Sequence, residues 1–309
     1  MNTQLPVDNK IIQREQIPEL KQIANYVFGS IDISSTSRKD YSYRIESFIK
    51  FISSQGLHRN SLLDYKRELE KRIDLKVSTK NKFFVVGKIF LRELSRLGKI
   101  PIDYTANVKG FKDLKKHKKF GLTEEEIRRI TGKLNDLPAT KKTYRLKALL
   151  ALLIFQGLRQ IEILRLTIED IDLRQGVIQI QGKGYQDKEN IFIHPATAKA
   201  IGKYIEFANI KNGFLFTSFS NRKGTGQLSH TSLFREVKSL FRELDIDRTI
   251  HGFRHHYCTA LLEQLGDVNT VRKFTRHRSV DTLIIYDDLL DLRNKKDKVF
   301  SCFENIAMN

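Results

Sequence analysis

Cysteine is scarce in this chain of 309 residues. Cys258 and Cys302 are the only two, far apart and without CxxC or zinc-ligand spacing. That scarcity predicts neither a disulfide framework nor a metal site, and it points to a reducing cytoplasm. No uninterrupted apolar stretch of about 18 residues is present to span a bilayer, and the opening MNTQLPVDNK lacks the apolar core of a signal peptide. The sequence has no GxxxxGK[ST] phosphate loop, no GxGxxG, no HExxH and no GxSxG, so several familiar chemistries are without their signatures. Internal repeats of 20 to 50 residues are missing too. Acidic residues are outnumbered: 36 Asp and Glu stand against 55 Lys and Arg, giving a net charge of +19 and a pI near 9.8. Such an excess repels itself in a compact fold and usually answers a polyanion. DNA, RNA and an anionic membrane all qualify, the membrane least.

What is present reads as two domains. From about Glu15 to Lys99 the pattern is helical, with three apolar faces at three- and four-residue spacing. These are Tyr41, Ile45, Phe48, Ile49 and Ile52; Leu62, Tyr65, Leu69 and Ile73; and Phe83, Val86, Phe90, Leu91, Leu94 and Leu97. Ser37 and Ser78 stand at expected helix starts, and Gly56 and Gly98 at stops. The reading is a bundle of about four short helices. Lys109 to Gly121 follows, with six lysines (Lys109, Lys112, Lys115, Lys116, Lys118 and Lys119) against one Asp. This is a solvated hinge, with phosphate contact a further possibility.

Thr123 and Glu126 form a capping box at the start of the second domain. An apolar helix covers Lys147 to Phe155, and a short one runs from Gly157 to Leu166. Between Thr167 and His194 the period changes to two: Ile168, Ile171 and Leu173, then Val177, Ile178 and Ile180, then Ile191 and Ile193. Turns at Arg174–Gly176 and Gly182–Asn190 divide this into three antiparallel strands. Helical patterns return from Pro195 onward. The expected fold is mainly α, of the α+β kind. A helical N-terminal domain occupies residues 1–110 and a basic linker 111–121. A mostly helical domain with a small three-stranded antiparallel sheet fills 122–309.

The candidates for chemistry are cationic and imidazole side chains in a particular order. Arg159 lies in GLRQIEIL, Lys183 in QGKGYQDKEN, His251 and Arg254 in HGFRHHYCT, His277 in TRHRS and Tyr286 in LIIYDD. Singly, each has an ordinary explanation. Arg159 could be a surface partner of Glu162, Lys183 a solvated turn residue, and His251 a capping or core histidine. His277 could belong to a basic face, and Tyr286 could simply be half-buried.

Together they resemble the tyrosine recombinase (phage integrase and Xer) family. The matching stretches are Gly157-Leu158-Arg159-Gln160-Ile161-Glu162, Gly182-Lys183-Gly184, His251-Gly252-Phe253-Arg254-His255, His277 and Tyr286, in that order. The detailed resemblance spans about 122 to 290, with a looser likeness over about 35 to 110 to the family's helical core-binding domain. Arg276 stands where the family usually has glycine, and Gly252 where Asp is common. Asp287 and Asp288 put two carboxylates beside the tyrosine.

The resemblance implies that Tyr286 attacks a DNA phosphate and forms a 3′-phosphotyrosyl link. A phenol suits that role because it can both attack and leave. It casts Arg159 and Arg254 as forks on the charged phosphate oxygens and Lys183 as the acid for the leaving 5′ oxygen. Lys188 is a second candidate for the acid. His251 would accept the tyrosine proton and His277 would contact a phosphate oxygen, while Glu162 orients Arg159 and His255 is structural. No metal, cofactor or ATP is implied. The partners implied are double-stranded DNA bearing a specific site and three further copies of the chain, four protomers acting on two sites. Contact between protomers would run through a tail from about Leu289 that carries Leu290, Leu292, Val299, Phe300, Phe303 and Ile306. The alternatives are a catalytically silent DNA-binding protein of the same fold, a type IB topoisomerase and an unrelated helical RNA-binding protein.

Overall fold

The computed structural model describes residues 17–112, 121–182, 184–219, 226–280 and 283. The expectations for Lys115, Lys116, Lys118, Lys119, Lys183, Tyr286 and the tail lie outside these residues. The chain divides into two compact units, 1–114 and 115–309.

The first unit is a bundle of α1 (Ile17–Ser30), α2 (Ser35–Gln55), α3 (Ser61–Lys71) and α4 (Val77–Arg96). Phe28, Phe48, Tyr65, Phe84 and Phe90 fill its core with Ile45, Ile49, Ile52, Leu62, Leu69 and Leu91. Phe48 meets Tyr65 edge-on at 4.9 Å, an arrangement that adds to simple burial. Two helices are longer than expected, at 21 and 20 residues. Their starts also differ from the reading. Ser34, not Ser37, caps α2 by accepting from the Ser37 N–H. The cap position of α4 is Lys76, which makes no side-chain capping bond. Ile73 is 99% exposed because α3 ends before it, at Lys71. After α4 the chain is clamped back onto that helix. Asn81 Nδ2 donates to Phe111 O at 2.9 Å, and Phe111 N–H donates to Asn81 Oδ1 at 2.8 Å.

The second unit contains α5 (Glu124–Asp136), α6 (Lys141–Phe155), α7 (Gln160–Arg165), a 3₁₀ turn (Ile168–Asp170), β1 (Ile171–Asp172), β2 (Val177–Gln181), β3 (Lys188–Phe192), α8 (Pro195–Ala208), α9 (His230–Glu243), α10 (His251–Leu265) and α11 (Val268–Thr275). Ala148 to Ile154 of α6 are all buried, so this helix is apolar all round and forms the centre of the unit. Thr123 and Glu126 make both bonds of the capping box at α5. The sheet is antiparallel in the order β1-β2-β3, with Ile178 facing Ile171 on one side and Ile191 on the other. Its limits differ from the period-two reading. Ile168 lies in the 3₁₀ turn, and Lys188 to Asn190 are strand rather than turn. Cys258 and Leu262 of α10, Val271 of α11 and Leu283 form a separate small core. Burial pushes the Cys258 thiol up to about 11, which makes it a packing group rather than a nucleophile. Among the described residues no helix is long and apolar enough to cross a membrane.

Candidate active site

The loop between α6 and α7, the start of α10 and the end of α11 bring Arg159, Glu162, Arg254, Arg276 and His277 together. Gly157 begins the arrangement. Its φ of +56° is one that glycine adopts without strain. A Cβ there would lie 2.4 Å from a ring carbon of Tyr257. The turn it permits aims the Gly157 carbonyl at Arg254, whose Nη1 donates to it at 2.7 Å.

Arg254 is 1% exposed. Its Nη2 donates to Thr275 O and lies 3.3 Å from His277 Nε2, while Nε has no partner among the described residues. Burial and the nearby Arg159 guanidinium lower its pKa to about 10, so it remains charged at neutral pH. A guanidinium cannot accept a hydrogen bond. His277 Nε2 is therefore the acceptor, and Nδ1 carries the proton toward Thr275 Oγ1, 2.8 Å away. Burial, then Arg254, Arg159, Arg276 and His251, push the His277 imidazole down to about 3. His251 is exposed at the first position of α10.

A buried carboxylate is shared by Arg159 and Arg276. Glu162 Oε1 accepts from Arg159 Nη1 at 2.8 Å, and Oε2 accepts from the Arg159 N–H at 2.8 Å. Arg276 Nη2 donates to Oε2 at 3.1 Å. Burial alone would raise the Glu162 pKa, but the Arg276 charge and the Arg159 hydrogen bonds outweigh it and hold the carboxyl below its ordinary value. Arg159, Arg254 and Arg276 around the buried Glu162 leave a local excess of positive charge, a setting suited to an anion.

Arg276 is the residue whose part the sequence concealed. It ends α11 with φ +56° and ψ +45°, a conformation that costs a non-glycine residue roughly 1–2 kcal/mol. This geometry explains why glycine suits the position, and it brings the Arg276 guanidinium onto Glu162. Gly252 also has a local reason: a Cβ there would lie 3.0 Å from Leu122 Cδ1. Lys188 is committed elsewhere, since its ammonium pairs with the buried Asp170. His255 is buried, with Gly121 packed against its ring. Lys109 and Lys112 are exposed and belong to the first unit.

The depressed imidazole sets a pH dependence. In the unfolded chain a histidine titrates near 6.5, whereas in the fold His277 does so at about 3. Between those values the unfolded state binds the extra proton, so stability falls as pH drops below about 6.5. Glu162 contributes in the same direction at lower pH, being stabilising above the ordinary carboxylate value and lost as its folded pKa is crossed. Denaturant unfolding at pH 7, 6 and 5 should show a shallower decline for His277→Gln than for the wild type. Parallel curves would count against the assignment.

Fold and site together define a mainly helical protein whose second unit gathers arginine and histidine around the Glu162 carboxylate beside a β-hairpin. Residues 121–293, more than half of the chain, match the phage integrase family. The chain is 29% identical to tyrosine recombinase XerD of Oceanobacillus iheyensis, over 82% of this chain and 96% of that protein. It is 27% identical to tyrosine recombinase XerA of Saccharolobus solfataricus, over 88% and 87%. In fold it is similar to the XerH site-specific recombinase solved in a post-cleavage complex with palindromic difH substrate. That match has a TM-score of 0.75 and 16% identity, and covers 95% of this chain and 98% of that one. The Tn1549 transposon integrase bound to transposon right end DNA gives a TM-score of 0.68 at 15% identity, over 89% and 94%. The chain belongs to the phage integrase family, the tyrosine site-specific recombinases.

Proposed function

We propose that this protein cuts and rejoins double-stranded DNA at a specific site through a 3′-phosphotyrosyl intermediate on Tyr286. The observation that carries this reading is the buried, doubly anchored Arg254 beside His277 and Arg159, a cationic cradle next to the Glu162 carboxylate. In the proposed step the Tyr286 oxygen bonds to phosphorus while the bond from phosphorus to the 5′ oxygen breaks. The tyrosine proton passes to His251, and Lys183 gives a proton to the departing oxygen. Arg159 and Arg254 meet the charge on the non-bridging oxygens. A phosphate placed between them would also raise the pKa of His277, letting Nε2 take a proton and donate to an oxygen. Side chains supply the cations and the bond energy stays in the phosphotyrosine, so this reading assigns no metal, cofactor or ATP.

The relatives named XerD and XerA are tyrosine recombinases, and the similar XerH was solved on DNA. Both support DNA as the partner, as does the net charge of +19. The first unit and the lysines from Lys109 to Lys119 are assigned to the DNA backbone. That contact should make affinity fall steeply with salt. The tail from about Leu289 is assigned to contact between protomers in a tetramer on two sites.

A covalent-trapping assay tests this reading. Nicked duplexes from the DNA flanking the gene are incubated without metal or ATP and resolved on a denaturing gel. A protease-sensitive adduct with the wild type, lost in Tyr286→Phe, is the expected result. Salt-sensitive binding without an adduct on any fragment would instead favour a silent DNA-binding member of the family.

A further inference from the structure

The β2–β3 hairpin is tied to the end of α11 by the two arginines that flank His277. Arg278 Nε donates to Tyr185 Oη at 2.7 Å, and its guanidinium carbon stands 4.4 Å from the centre of that ring. Arg276 Nε lies 3.4 Å from Glu189 Oε1, on the returning strand, an ion pair without a hydrogen bond. On the other side of β3, Lys188 is paired with Asp170, as strand alternation requires of neighbouring residues. The tip is closed from within. Tyr185 N–H donates to Gly182 O at 3.3 Å, and Gln181 Nε2 donates to the Tyr185 and Gln186 carbonyls at 3.2 and 3.0 Å. Arg165 Nη1 adds a bond to Gly182 O at 3.3 Å.

Lys183 sits in sequence between Gly182 and Gly184, and Gly184 has φ +81°. A general acid must be within hydrogen-bond reach of the atom it protonates, so the placement of the hairpin that carries it matters. The contacts above hold the described residues of that hairpin, and two of them arise within one residue of His277. We propose that Arg276 and Arg278 are positioning residues: with Glu189 and Tyr185 they hold the hairpin so that Lys183 reaches the departing 5′ oxygen in register with His277. This inference rests on Lys183 being the general acid. The arginines touch neither DNA nor the reacting atoms in this role. Arg278 and Tyr185 are exposed, so their contact contributes little to stability. Its effect falls on proton transfer.

Two measurements test it. The first uses the nicked duplex that gives the adduct, made with either oxygen or sulfur at the scissile 5′ position. A 5′-thiolate leaves without a proton, so a defect in acid delivery disappears on the sulfur substrate. Arg278→Ala and Tyr185→Leu should slow cleavage of the oxygen substrate by about tenfold or more, a part of the 10²–10⁴ that a placed general acid contributes. They should match the wild type with sulfur, and Arg278→Lys should recover part of the rate. An equal loss on both substrates, or no loss on either, would overturn the inference. Lys183→Ala is the reference. If it too is insensitive to the leaving group, the general-acid reading fails and takes the inference with it.

The second measurement needs no DNA. Amide hydrogen exchange across residues 181–190 in the full chain should be faster in Arg278→Ala than in the wild type or in Arg174→Ala, on the β1–β2 turn. Unchanged exchange would overturn the tether itself.

Discussion

Arg254→Ala is expected to slow adduct formation by about 10²–10³-fold, the loss typical of removing one preorganised donor from developing negative charge. The size of the effect follows from how this side chain is held. A buried guanidinium bonded to Gly157 O and Thr275 O is held in place by the fold itself, so no reorganisation is needed when charge develops. Binding to DNA at low salt should change little, because one residue among 55 Lys and Arg carries a small share of backbone neutralisation. Arg254→Lys should lose nearly as much rate. An ammonium keeps the charge but lacks the planar fork that spans two carbonyls and still faces the pocket. Single-turnover trapping rates, with binding measured on the same duplex, separate the two effects. A lysine variant close to wild type would mean that charge alone, not the fork, does the work at this position.

Stability should respond less than rate. Alanine at 254 leaves the Gly157 and Thr275 carbonyls short of a donor, at about 1–3 kcal/mol each. It also removes a buried cation that stands near Arg159 and Arg276, burial first and those charges second lowering its pKa. These contributions oppose one another. Burial, and after it the same neighbouring cations, keep His277 neutral.

Arg159, Arg254 and His277, which the structure brings together, were legible as a group because spacing along the chain survives without any knowledge of packing. The step from His251 to Arg254 is one helical turn at the start of α10, and the Glu162 pairing is visible three residues from Arg159. Long-range pairings were not legible. Arg276 meets Glu162 across 114 residues, and nothing in TRHRS distinguishes an inward arginine from a basic face. The one available hint was an arginine in place of a small, left-handed residue. Element ends were misread where local signals are degenerate or absent. Ser34, Ser35, Thr36 and Ser37 are all plausible caps, and only Ser34 is used. β3 begins with Lys188 and Glu189, whose polarity hides a strand because its two faces are held by ion pairs instead of apolar burial. Ile73 keeps the helical spacing of α3 but lies past its end, where Arg72 and Asp74 pair with each other in solvent.

Gly157→Ala is expected to destabilise the second unit by roughly 2–5 kcal/mol, from two separable causes. A left-handed alanine costs about 1–2 kcal/mol relative to glycine. Pressing a methyl group into a filled site costs about 1–3 kcal/mol, here against the Tyr257 ring at 2.4 Å. For a unit of this size each kcal/mol lowers Tm by about 2–4 °C, so a fall of roughly 4–20 °C should appear by calorimetry. Placing the same substitution in a Tyr257→Ala background removes the clash and leaves the backbone cost. The two single effects should then exceed the double, with a coupling near the steric share. Strict additivity would show that the ring is not what constrains this position. The substitution should also lower cleavage in the double variant, where the clash is gone. Any shift of the Gly157 carbonyl withdraws one of the two backbone acceptors that hold Arg254. A double variant with full activity would mean that Arg254 finds its place without that turn.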